Sequence, residues 1–105
     1  MYSNVSGATD VALLSPGNGV SNAKIIHITN THASDAVLVD LYISVLSQKG
    51  VASSTYYILK SYSIAVKSYL NLESSILSFN NNSSTGFGLY ITLNAADSEV
   101  DVLIK

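Results

Sequence analysis

Between residues 37 and 45 every odd position is aliphatic (Val37, Val39, Leu41, Ile43, Val45), while Asp40, Tyr42 and Ser44 between them are polar or amphipathic. Successive side chains of an extended chain point to opposite faces, so a period of two marks a strand with one buried face. A helix would need apolar positions every three to four residues, and no window of this chain sustains that spacing. The alternation recurs in Leu89, Ile91 and Leu93 against Tyr90 and Thr92, and in Val100, Val102 and Ile104 against Asp101 and Lys105. By β-branched and aromatic content Lys24–Asn30, Thr55–Lys60, Ser63–Leu72 and Ile76–Phe79 are further strands, the third bent or interrupted near Lys67-Ser68. Turn-forming residues separate these runs at Ser15 to Gly19, Ser34-Asp35, Gly50 with Ser53 and Ser54, and Asn80 to Gly88. Seven or eight short strands with polar turns predict an all-β fold, an antiparallel β-sandwich of jelly-roll or immunoglobulin-like type.

A chain of 105 residues makes one domain. Residues 1–23 are expected to form an N-terminal arm, with a short edge strand at Val11–Leu14, and residues 24–105 the β-sandwich. Only 11 % of the residues are charged against 48 % hydrophobic, with a mean hydropathy of +0.33. That balance is opposite to the one that keeps chains disordered. It also leaves Ser, Thr, Asn and Tyr, or another protein, to cover the surface of a small domain. A subunit of an assembly is therefore expected, with a hydroxyl-coated monomer as the plain alternative. Five lysines, no arginine and a net charge of −2 argue against nucleic-acid binding, which needs a basic stripe to neutralise phosphates. Without cysteine there is no disulfide, zinc–thiolate site or thiol nucleophile. No apolar run approaches the roughly 18 residues of a membrane span, and no basic, apolar leader precedes Lys24, so use without export is the simplest expectation.

Residues suited to catalysis are sparse. The histidines are His27 and His32. His27 lies mid-strand between Ile26 and Ile28 and so faces away from their side, as a sheet-surface or subunit contact; His32 falls in the following turn and is expected to be solvated. The G-x-S-x-G elbow of serine hydrolases is missing. Asp97, Glu99 and Asp101 recur at every second position, one face of a strand, and three hard oxygen donors suit calcium. A solvent-facing strand opposite Val100, Val102 and Ile104 shows the same row, and like charges there deter edge pairing. We therefore expect no metal, no cofactor and no enzymatic activity. Tyr56, Tyr57, Tyr62 and Tyr69 cluster mid-chain, and tyrosine buries a ring while its hydroxyl stays wet, which suits interfaces and sugar-binding faces alike.

The order of segments resembles that of small virion structural proteins of tailed bacteriophages, especially marine and cyanobacterial phages. The likeness spans residues 24–105 and rests on Lys24 to Thr31, a β-branched strand Ala36–Leu46, and the aromatic pair Tyr56-Tyr57 leading to Lys60. It continues through Leu70–Leu72, Ile76–Phe79, Gly88–Leu93 and the Val100-Asp101-Val102 ending. These are strand patterns rather than chemical motifs, and the proline turn common after the lysine strand is absent at Ile64 to Lys67. The resemblance implies a non-enzymatic β-sandwich made in the host cytoplasm and assembled onto the virion. It would be a capsid-decorating, cement-like subunit or a neck or tail accessory. Its partners would be its own copies, as a homo-oligomer such as a trimer, and the major capsid protein. Expected contacts are Tyr56, Tyr57, Tyr62, Tyr69, His27 and the arm before Lys24. The alternative is a carbohydrate-binding sandwich used for receptor recognition, with tyrosine rings and Asn80 to Ser84 or Asp97 to Asp101 lining the site.

Overall fold

The computed structural model describes residues 2–15, 22–45, 55–78 and 87–105. These form eight strands: β1 (Tyr2–Ser6), β2 (Val11–Leu14), β3 (Asn22–Asn30), β4 (Val37–Val45), β5 (Thr55–Ile64), β6 (Tyr69–Ser78), β7 (Phe87–Leu93) and β8 (Glu99–Ile104). Pairing is antiparallel throughout, β1 with β8, β2 with β7, β3 with β6 and β4 with β5, so the chain folds back on itself as one long ribbon. Two further pairings, β3 with β8 and β4 with β7, roll that ribbon into two four-stranded sheets. Sheet A has the order β1-β8-β3-β6 and sheet B the order β2-β7-β4-β5. This nested order is the double-sheet jelly roll. Immunoglobulin sheets place several consecutive strands side by side, whereas here β4 and β5 alone do so among the described strands.

The alternating residues meet between the sheets. Val5, Ile26, Ile28, Val100, Val102 and Ile104 from sheet A pack in one cluster with Leu13, Leu14, Val37, Val39, Leu41, Leu89, Ile91 and Leu93 from sheet B. Burying each such side chain contributes about 1.5–3 kcal/mol before conformational entropy is set against it. The segment before Lys24 is built into this body: β1 is an edge of sheet A, and β2, at the position expected for an edge strand, is an edge of sheet B. Residues 16–21, 46–54 and 79–86, including the Asn80 to Ser84 run, lie outside the described residues.

The expected strand over Ser63–Leu72 is divided. β5 ends at Ile64, β6 begins at Tyr69, and the chain crosses from sheet B to sheet A through a turn in which the Ser68 N–H donates to the Ala65 carbonyl at 3.1 Å. Lys67 takes φ = 61° there, doing with a left-handed residue what a proline turn would do with a fixed φ. Ile76 to Ser78 are the far end of β6 rather than a separate strand. A side chain at positive φ is strained by about 1–2 kcal/mol. Lys67→Gly is therefore expected to stabilise the fold by about 0.5–1 kcal/mol after the added chain entropy of glycine, and Lys67→Val to destabilise it. Urea denaturation reads both.

Candidate functional site

Three surfaces gather the polar and aromatic side chains. The first is the turn between β3 and β4. Asn30 ends β3 and is buried, and its amide is fully used. Oδ1 accepts the His32 N–H at 2.8 Å, and Nδ2 donates to the carbonyls of Asp35 at 2.9 Å and Ile64 at 3.0 Å. One side chain thus ties the exit of β3 to the end of β5. His32 is not solvated as the sequence suggested; its side chain is 13 % exposed. Its Nδ1 accepts the N–H groups of Ser34 at 3.1 Å and Asp35 at 3.0 Å. The neutral ring therefore carries its proton on Nε2, which donates to Asp97 Oδ2 at 3.1 Å.

His32, Asp35 and Asp97 are a group whose ligand-type atoms lie within 4.8 Å of one another. A metal on Nε2 would require the ring proton on Nδ1, pointed at an acceptor. Two backbone donors occupy that position, so the group is a polar brace between the β3–β4 and β7–β8 connections. Of the expected row Asp97, Glu99 and Asp101, the last two share the exposed face of β8 opposite Val100, Val102 and Ile104, and only Asp97 lies outside the strand. Asp97 precedes β8 and turns to His32, Asp101 pairs with Asn4 on β1, and Glu99 sits opposite Ser6.

The hydrogen bond from His32 holds the Asp97 carboxyl below the usual carboxylate range. An acid with a depressed folded value stabilises the fold above its unfolded value, near 3.8, and that contribution is lost as pH falls through the folded one. Acidification below about pH 4 is therefore expected to lower the protection of the Ser34 and Asp35 amides, measured as the exchange rate relative to the intrinsic rate at the same pH. Asp97→Asn should show the lowered protection already at neutral pH.

The second surface is β5, an edge of sheet B. Tyr56, Tyr57 and Tyr62 are 67 %, 40 % and 44 % exposed. Tyr62 is in register with core residue Val39 and Tyr56 with half-buried Ile43, but at an edge even those positions stay open. Tyr57 lies on the other side, against Tyr42, ring centroids 5.2 Å apart, and Tyr42 stacks in turn on Tyr90 at 5.7 Å. Burial, with a hydrogen bond to Asp10, pushes the Tyr42 hydroxyl up to about 12 against the opposing bond with Thr92. Lys60 Nζ sits 4.5 Å from the Tyr57 ring centroid and 3.2 Å from Asp40. Asp40 also accepts the Ser61 N–H at 2.7 Å, where a bulge sets Ser61 at φ = 51°. Register shifts on both sides of Leu41 make β5 a poor template for a further strand, so contacts made there fall to side chains.

The third surface is the outer face of sheet A. His27 points away from the buried Ile26 and Ile28, as alternation requires, and stacks on Tyr69 with centroids 4.8 Å apart and planes 16° apart. The five expected contact residues thus divide. Tyr56, Tyr57 and Tyr62 belong to sheet B, His27 and Tyr69 to sheet A. The sequence reading missed Asn30 and the His32–Asp97 pair, although Asn30 two residues before His32 has the spacing of an Asx turn. It also missed Tyr2, Asn4 and Leu103, which join His27 only through strand pairing. Among the described residues no helix is long and apolar enough to cross a membrane, which leaves membrane crossing by strands untouched. Searches of protein-family models and of curated proteins find no match to this sequence.

Proposed function

We propose that the protein is a non-enzymatic structural subunit of a tailed-phage virion, a capsid-decorating, cement-like or neck or tail accessory protein that acts by protein–protein contact. The observation that carries this reading is the exposed tyrosine group of β5, with Leu38 exposed on the adjoining β4. Tyrosines contribute contact area at little entropic cost and are enriched in interface cores. A jelly roll supplies a rigid platform for them, and this architecture serves both capsid and lectin domains. The phage assignment itself rests on the resemblance in strand order. A stable contact removes about 800 Å² per partner, and many copies on one lattice multiply a modest affinity.

The test is light scattering coupled to size exclusion, followed by co-sedimentation with phage capsids. The purified protein should run larger than its 11.1 kDa chain. Tyr57→Ala should weaken self-association about tenfold, equivalent to about 1.4 kcal/mol. A monodisperse monomer that ignores capsids would remove the proposal.

A further inference from the structure

The outer face of sheet A carries a surface of different chemistry from β5. β1, β8 and β3 run side by side there, and register aligns two cross-strand rows, Tyr2–Leu103–His27 and Asn4–Asp101–Thr29. Together they line a shallow depression of about 260 Å³. Tyr2 stands on one flank, 83 % exposed, and His27 on the other, two strand spacings or roughly 10 Å away. Tyr69 stacks on His27 but does not line the depression, so it backs the imidazole from behind and holds its orientation. Leu103 and Asp101, on β8, lie between the flanks, and Thr29 stands beside His27 on β3. At one side the Asn4 amide donates to Asp101 Oδ1. The amide carbonyl and the second carboxylate oxygen of the same pair are acceptor groups by their chemistry.

This combination selects a ligand class. Purely apolar ligands would strip water from Asp101 and Asn4 without replacing its hydrogen bonds, which disfavours them. Anions would meet the Asp101 carboxylate on a protein of net charge −2. Drug-sized molecules fill pockets of about 300–1,000 Å³ and bury most of their surface, which a shallow depression does not allow. A sugar ring has an apolar C–H face to lie against an aromatic ring and a rim of hydroxyls to donate to paired acceptors. We propose that this face binds a saccharide, with one sugar residue seated between Tyr2 and His27 and its hydroxyls on Asp101 and Asn4. The site goes beyond the assembly role and does not need it, since the β5 tyrosines belong to the other sheet. Copies arrayed on a particle would present it many times over, turning weak single-site affinity into avidity.

Saturation-transfer NMR on the full chain, with the methyl glycosides of glucose, galactose, mannose and N-acetylglucosamine as probes, tests the proposal. Transfer onto the ring C–H protons of at least one glycoside is expected, with millimolar affinity. Tyr2→Ala and Asp101→Asn, both at exposed positions, should each weaken it about tenfold or more. Tyr57→Ala should leave glycoside binding unchanged even where it lowers self-association, so failure of one proposal is distinguishable from failure of the other. Three results would each overturn the saccharide site. One is no transfer to any of the four glycosides. Another is transfer that Tyr2→Ala and Asp101→Asn leave intact. The last is an oligomer that dissociates with Tyr2→Ala but survives Tyr57→Ala, because the face would then be occupied by a second copy of the chain.

Discussion

Asn30→Ala is expected to destabilise the fold by about 3–5 kcal/mol, a large part of the roughly 5–15 kcal/mol that holds a domain together. The alanine leaves the carbonyls of Asp35 and Ile64 without their donor and the His32 N–H without its acceptor. A buried polar group stripped of its partner costs about 1–3 kcal/mol. The backbone bonds of the turn, Asn30 N–H to the Ser68 carbonyl and Thr31 N–H to the Glu99 carbonyl, survive the substitution, so the cost falls on the side-chain partners alone. One position thus touches the β3–β4 connection, the end of β5 and the β5–β6 connection. Asn30→Asp is a sharper variant, since it keeps the size and the Oδ1 acceptor but turns an oxygen toward two carbonyl oxygens, and it should be at least as damaging. Urea denaturation is the measurement. A cost below about 1 kcal/mol for either variant would show that the turn repacks and that Asn30 is not its anchor.

What could be read in advance was whatever repeats locally. Val37, Val39, Leu41, Val100, Val102 and Ile104 are buried because alternation along a single strand is enough to say so. Where parity breaks, the reading breaks with it. β5 opposes Asp40 with both Lys60 and Ser61 and has an extra residue at Ile58, so its faces cannot be counted from sequence. Tyr42 and Ser44 alternate with the core residues of β4, which by parity alone puts them on the opposite face, yet both are buried. Tyr42 gains its cover from Tyr57 and Tyr90 on neighbouring strands. β1 was invisible because Val5 is its only aliphatic residue, and an edge strand needs no more than one to lock onto a core. The sheet A depression was hidden for a related reason. Its residues come from both ends of the chain, and only the pairing of β1 with β8 brings Asn4 to Asp101.

That pairing makes the N-terminal segment a test of the fold as much as of assembly. A chain lacking residues 1–10 is expected to lose about 2–4 kcal/mol, mostly from Val5, which is 1 % exposed and sits opposite Val100. The backbone bonds of β1 add less, because releasing five residues returns much of their conformational entropy. The truncation also uncovers the hydrogen-bonding edge of β8 along Glu99 to Leu103, and a bare edge strand is a template for aggregation. Asp10 leaves too, taking its bonds to Tyr42 and Thr92. Val5→Ala separates these contributions, since it vacates the core site but keeps the edge covered. It should cost about 1–3 kcal/mol with no gain in aggregation. If residues 1–10 were merely an arm reaching for a partner, the truncated chain would keep the urea midpoint of the intact protein and lose only its assembly. A lowered midpoint with aggregation instead makes β1 a wall of the sandwich, and any loss of assembly in that truncation then follows from the damaged fold.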